Sequence, residues 1–228
     1  AALGREYPLL IGAQAVRTRA TLTVRNPADP EQVVGRVAAA GSEEVDQAVR
    51  VAAEAQPRWA ATPVRERVEC LERAAQLIRE RRDELAAWTV FEAGKTWREA
   101  DVEIVEAIEY LDYYGRLMRD LDGGRALLQL PGERNSYRYA PRGIAAVIAP
   151  WNFPAALLTG MASAALAGGN AVLLKPAEQT PVIAAHLAAI LREAGVPPGI
   201  VQCLPGTGEE AGAALARHPG VQVRKEFV

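Results

Sequence analysis

The stretch "IAAVIAPWNFPAALLTGMASAALAGGNAVLLKP", residues 144–176, decides the fold. It opens with a short apolar strand, "IAAVIAP", runs through a helix rich in Ala and Gly, and closes on a second strand, "AVLLKP". Both strands are continuously apolar rather than alternating, the pattern of strands buried on two faces. Pro150 has no N–H to give a ladder, so it stops the first strand at a half-polar corner, "PWNFP". The alternation continues downstream. Thr180-Pro181 predicts the cap of a second helix, "VIAAHLAAILREAG", with Gly195 at its C-terminal end. "IVQCLP" is a third strand, "GEEAGAALARH" a third helix, and "VQV" starts a fourth strand. Strands and helices at this spacing form βαβ units and a parallel sheet covered on both faces. The expected fold class is α/β: an incomplete doubly wound parallel sheet, partial and Rossmann-like, preceded by a helical segment.

Outward from that core, residues 1–41 read as short strands and turns, with Asn26, Pro27, Asp29 and Pro30 as punctuation. Residues 42–122 read as helical. Ser42 is the expected N-cap of a helix burying Val45, Val49 and Ala52; Thr62-Pro63 opens another, carrying Val68, Leu71, Ala75 and Ile78. Asp83 is expected to start a third, with Leu85, Trp88 and Phe91, ending near Gly94. The fourth and longest carries Val102, Val105, Ile108, Leu111, Tyr114, Met118 and Leu121 as a core stripe, stopped by Gly123-Gly124. "PGERN" lies between two strand-like pieces, so residues 125–143 read as a hairpin or an extended arm. The expected organisation is therefore 1–124, N-terminal strands and helices; 125–143, an arm; 144–223, partial βα units; and 224–228, a tail.

Composition narrows the function classes. The chain has 228 residues, half of them hydrophobic, and a formal net charge of −2. With no basic stripe interleaved with aromatics, nucleic acid is an unfavoured partner. No apolar run has the length to span a bilayer, and the start does not read as a signal peptide. Cys70 and Cys203 make no disulfide framework, which fits a reducing cytoplasm. Both read as small core residues, and His186 and His218 have no metal-ligand spacing, so no metal is expected.

In a parallel α/β sheet, ligands bind beyond the carboxyl ends of the strands. Three loops lie there: "PWNFP", "KPAEQTP" and "PGTGEEAG". In the first, Asn152 sits between two prolines; it either donates to a developing oxyanion or ties its own loop together. Trp151 and Phe153 either wall a pocket or anchor the loop. In the second, Glu178 follows the second strand, where an acidic residue accepts from ribose hydroxyls and repels a 2′-phosphate. Lys175 is either its partner at a ribose or phosphate, or half of a surface ion pair. The third loop is not a dinucleotide fingerprint, but its glycines permit close approach of backbone to ligand, and the helix N-terminus after it favours an anion.

These loops, in this order, resemble the aldehyde dehydrogenase superfamily, through "PWNFP", "GGNAVLLKPAEQTP", "EAGVPPGIVQCLPG" and "GEEAG". "FEAGKTWREADVEIVEAIEYLDYYG" looks like that superfamily's long helical segment. "REYPLLIG", "NPADPEQVVGRV", "PGERNSYRYAPRG" and "PWNFPAALLTGM" are most similar to its bacterial 1-pyrroline-5-carboxylate dehydrogenase branch. The resemblance implies NAD as cofactor and oxidation of L-glutamate γ-semialdehyde to L-glutamate in proline catabolism. It implies that Asn152 stabilises the oxyanion and that Lys175 and Glu178 meet the adenosine ribose. Ile148, Pro150 and Trp151 then line the cofactor pocket, Gly206 and Gly212 lie beside the adenine, and Phe153 walls the aldehyde. It further implies a homo-oligomer, with 125–143 as the associating arm. The family's nucleophilic cysteine and general-base glutamate match nothing here, and "RKEFV" departs from the family pattern. The chain therefore reads as the N-terminal portion of such an enzyme, without its catalytic domain and inactive as it stands. Two alternatives remain open: a non-catalytic remnant that binds nucleotide or a partner chain, and a superfamily member with another aldehyde.

Overall fold

The structure, a computed structural model, describes residues 3–226. The N-terminal region forms five strands: β1 (Arg5–Tyr7), β2 (Leu9–Ile11), β3 (Gln14–Val16), β4 (Thr21–Asn26) and β5 (Asp29–Ala38). Strands β1, β5 and β4 make a small sheet in that order, while β2 and β3 join the main sheet. Four helices follow: α1 (Ser42–Ala61), α2 (Val64–Glu80), α3 (Arg82–Ala93) and α4 (Trp97–Asp122). Then come β6 (Ile144–Ile148), α5 (Ala156–Ala167), β7 (Ala171–Lys175), α6 (Pro181–Glu193), β8 (Val201–Cys203), a π-helical turn at Gly208–Gly212, α7 (Ala213–Arg217) and β9 (Val223–Glu226).

The main sheet has the order β3-β2-β8-β7-β6-β9. Its β8-β7-β6-β9 part is parallel throughout, with Ile148 opposite both Lys175 and Glu226. Numbered along the chain, these four strands run 3-2-1-4, the first part of a doubly wound sheet. The chain reverses its direction of travel between β6 and β9, so the carboxyl end of β6 stands at the topological switch point. Every residue of β7 is buried, Ala171–Leu174 as their apolar run predicts and Lys175 with them. Helices α5 and α6 pack on β7 and β8, α1 packs on β7 and β6, and α2, α3 and α4 lie over α5 and α6.

Several local expectations shift. The α1 N-cap is Gly41, not Ser42, with Glu44 accepting from the Gly41 N–H. Helix α3 starts at Arg82, one residue early. On α4 the buried face is Ala100, Glu103, Ile104, Ala107, Ile108, Leu111 and Gly115, while Val102 is 59% exposed. The buried face differs from the apolar stripe in that a charged side chain, Glu103, occupies one of its positions. Residues 125–143 contain no strand; the turn is closed by Gln129, whose side chain bonds both the N–H and the C=O of Asn135. The last strand begins at Val223, where the apolar "VQV" pattern stops, and continues through Arg224 to Glu226. It lies at the sheet edge, where Arg224 stays exposed. Of the expected 224–228 tail, residues 227 and 228 lie outside the described residues. No helix of the described residues is long and apolar enough to cross a membrane.

Candidate functional site

The "PWNFP" corner leaves the carboxyl end of β6, at the switch point. Its near end is tied to the neighbouring strand, with Ala149 N–H donating to the Lys175 carbonyl at 3.0 Å. Ile148 and Pro150 are half-buried, and Trp151, Asn152 and Phe153 are exposed. Asn152 and Phe153 line a pocket of about 380 Å³ with Lys95, Arg98, Val102 and Glu103 of the helical segment. The Lys95 ammonium stands 3.9 Å over the Phe153 ring, a cation–π contact.

The second and third loops meet beside it. Lys175, at the end of β7, is buried, and its Nζ lies 3.2 Å from Glu178 Oε2. Burial pushes the Glu178 carboxyl up, but its own backbone N–H and Lys175 outweigh that and hold it below the ordinary value. An ionised, partly exposed acceptor thus faces the crevice. Gly212 adjoins this pair: a Cβ there would lie 3.9 Å from Lys175 Cε. Gly206 is different. A Cβ on it would come within 2.7 Å of both the Ala40 carbonyl oxygen and Ala211 Cβ, so packing alone requires glycine. The helix end expected to favour an anion is already furnished. Its first turn carries Glu209 and Glu210, and Thr207 Oγ accepts from Glu210 N–H.

The residues that sequence reasoning missed are the charged groups holding the sheet helices in place. Helix α5 has no side-chain cap of its own; buried Glu103 accepts from Ala155 N–H at 2.7 Å and Ala156 N–H at 3.2 Å. Thr180 stands at the N-cap of α6 as expected, but its hydroxyl makes no cap bond. Buried Glu92 of α3 accepts instead, from Val182 N–H at 2.6 Å and Ile183 N–H at 2.8 Å. Burial pushes the Glu92 carboxyl up to about 8, against the lowering by those two bonds. At the opposite ends, Arg67 donates to Ala167 C=O of α5 and Arg73 to Ala194 C=O of α6. The Lys95-paired Glu103 carboxylate at the start of α5 and the two guanidinium groups at the helix C-termini match the helix dipoles, while Glu92 serves α6 as a hydrogen-bond acceptor. The amides at the starts of α5 and α6 are consequently taken by internal carboxyl groups, which leaves them closed to an external phosphate. Nothing local in the sequence marks these groups: Arg67, Glu92 and Glu103 lie on the buried faces of their helices, and Arg73 is exposed.

Cys203 is fully buried, and burial pushes its thiol up to about 12; Cys70 is also buried and raised by burial. Both are core residues. A larger concavity, about 780 Å³, lies away from the strand ends, between α2, α4 and segment 125–141. It holds none of the residues discussed at the carboxyl ends, and the switch-point geometry is the stronger guide to a ligand site.

The profile of the aldehyde dehydrogenase family matches residues 15–224. The chain is 48% identical over 219 residues to the 1-pyrroline-5-carboxylate dehydrogenase of Geobacillus thermodenitrificans, covering 96% of this chain and 42% of that protein. It is 46% identical over 217 residues to 1-pyrroline-5-carboxylate dehydrogenase 2 of Bacillus subtilis, again spanning 42% of its length. Among solved structures, the Thermus 1-pyrroline-5-carboxylate dehydrogenase with bound NAD superposes with a TM-score of 0.94 at 43% identity, over 96% of this chain and 43% of that one. Proline utilization A from Bdellovibrio bacteriovorus superposes with a TM-score of 0.91 at 37% identity, over 96% of this chain and 23% of that one. The chain thus spans less than half the length of these relatives.

Proposed function

The chain belongs to the aldehyde dehydrogenase family, and from that premise we propose that it forms the NAD-binding part of an enzyme oxidising L-glutamate γ-semialdehyde to L-glutamate in the cytoplasm. The observation that carries this reading is the convergence, at one switch point, of the Asn152 corner with the Lys175–Glu178 pair and Gly212. The names of the relatives support the substrate, and the Thermus protein with bound NAD supports the cofactor.

In this reading Glu178 accepts from the adenosine ribose hydroxyls and Lys175 donates to them. Gly212 leaves room for the adenine side of the cofactor. Gly206 shapes the same loop from behind, by packing, rather than by touching ligand. Ile148, Pro150 and Trp151 line the cofactor pocket. Asn152 donates its carboxamide N–H to the oxyanion that forms when a thiolate adds to the aldehyde carbon. Phe153 walls the aldehyde. NAD, held by Lys175 and Glu178, would supply the hydride acceptor for that carbon. Neither thiol of this chain can be the nucleophile, because Cys70 and Cys203 are buried and protonated. Glu92 and Glu103 are committed to helix amides and do not act as a general base. The chain by itself is therefore inactive, and segment 125–143 is its surface for self-association. The burial of both thiols also favours a second reading, in which the chain binds nucleotide without catalysis.

Calorimetric titration tests the cofactor assignment. NAD is expected to bind more tightly than NADP, and Glu178→Ala is expected to weaken NAD by about tenfold, the loss of a charged acceptor. Equal affinity for the two dinucleotides, or indifference to Glu178, would overturn it.

A further inference from the structure

We propose that Glu103 is a positioning residue for the Asn152 loop, acting with Lys95. The proposal rests on the reading of Asn152 above only for its functional meaning; the mechanics stand on geometry. Residues 150–154 span the gap between β6 and α5; Phe153 C=O accepts from Leu157 N–H at 3.1 Å, and three further contacts hold that span. The first is the Ala149–Lys175 backbone bond at its near end. The second is Glu103 Oε1, which takes both Ala155 and Ala156 N–H at its far end. The third is Lys95, which Glu103 Oε2 holds at 2.5 Å and which in turn lies over the Phe153 ring. One carboxylate therefore governs the far end through one oxygen and the middle through the other.

The supports of this pair are themselves rigid. Glu103 has a fully buried side chain, and the Lys95 side chain is only 14% exposed. Lys95 follows Gly94, which closes α3 with φ of 67° and whose Cβ position lies 3.1 Å from Pro27. Lys95 precedes the Thr96–Glu99 capping box that starts α4. Helix α5 is seated directly on α4, since a Cβ on Gly160 would come within 2.9 Å of the Tyr110 ring. The α4 backbone is thus a fixed platform, and Glu103 transfers its position to the loop that carries Asn152. A buried ion pair with one partner removed leaves an uncompensated charge, so each partner is needed for the other.

The two oxygens make the proposal separable. Glu103→Gln keeps an oxygen for the two amides but releases Lys95. Glu103→Ala loses both functions. Lys95→Met removes the middle contact and leaves the buried Glu103 carboxylate without its counter-charge, though still bonded to the two amides. The measurement is amide exchange by NMR in the unliganded chain, with the Asn152 side-chain amide signals followed alongside. Glu103→Ala is expected to speed exchange at Ala155 and Ala156 by about tenfold or more, while Glu103→Gln holds them within about threefold of the parent. Both Glu103→Gln and Lys95→Met are expected to split or broaden the Asn152 side-chain signals. Val182 and Ile183, capped by Glu92, serve as the internal reference and should not change in any variant. Equal acceleration at 155–156 and 182–183 would mean general destabilisation and overturn the proposal, as would unaltered Asn152 signals in Lys95→Met. If Glu103→Ala does not fold, the Gln and Met variants decide it. Since no ligand is present, the result is independent of whether the chain binds NAD or an aldehyde.

Discussion

Replacing Gly206 by alanine separates the packing role given to this residue from the ligand role that family resemblance implies. The added Cβ would lie 2.7 Å from the Ala40 carbonyl oxygen and 2.7 Å from Ala211 Cβ. Neither neighbour is the far end of a flexible side chain: one is backbone, the other a methyl on the π-helical turn. Relief requires the β8 loop to move away from the β5–α1 junction. That junction is sealed by Ala40 N–H donating to Pro205 C=O at 2.7 Å, and the bond lengthens or breaks with the shift. Overpacking of this kind costs about 1–3 kcal/mol, and loss of the hydrogen bond about 1 kcal/mol more. Gly206→Ala should therefore lower unfolding stability by about 2–4 kcal/mol in urea titration, with an unchanged m-value. A change below about 0.5 kcal/mol, the size of an ordinary surface substitution, would refute the packing argument. A nucleotide affinity lost without loss of stability would return Gly206 to the ligand.

The remaining predictions concern charge and thiol chemistry. The Glu92 carboxyl rises from 4.5 to about 8 on folding, so the folded state holds its proton more tightly than the unfolded state. The resulting stability is fully present below about pH 4.5 and is lost as pH rises through about 8. Relative to Glu92→Gln, the parent chain should lose up to about 1.4 kcal/mol per pH unit across that window, measured by urea unfolding at several pH values; parallel profiles would contradict it. Cys70 and Cys203 should react with a thiol reagent only as the chain unfolds, and the purified chain should make no NADH from NAD and glutamate semialdehyde. Rapid labelling of either thiol under native conditions would contradict their placement in the core, and NADH formation would contradict the predicted inactivity.

Much of the fold is legible because apolar runs carry it. The stretches "IAAVI" and "AVLL" have no polar interruption, and their burial on two faces requires none. Asn152, Lys175 and Glu178 follow from that reading, since any residue just beyond a parallel strand stands at the ligand edge. What escaped is what periodicity scores as wrong. Glu103 sits on the buried face of α4, and a reading that seeks apolar residues passes over it to Val102, which is exposed. Thr180 has the composition of a cap, yet the amides it would serve belong to Glu92, 90 residues away in the chain. Such long-range caps leave no local signal. The pairing of β2 with β8 was equally hidden, because it joins Leu10 to Cys203 through an antiparallel contact outside the βαβ pattern.

The central claim is that the ligand crevice lies at the carboxyl ends of β6, β7 and β8, and amide chemical-shift mapping during NAD titration tests it most directly. The account predicts saturable shifts confined to residues 148–153, 175–178 and 207–212. Shifts concentrated in the larger concavity between α2, α4 and segment 125–141, with the three strand-end loops unmoved, would contradict it.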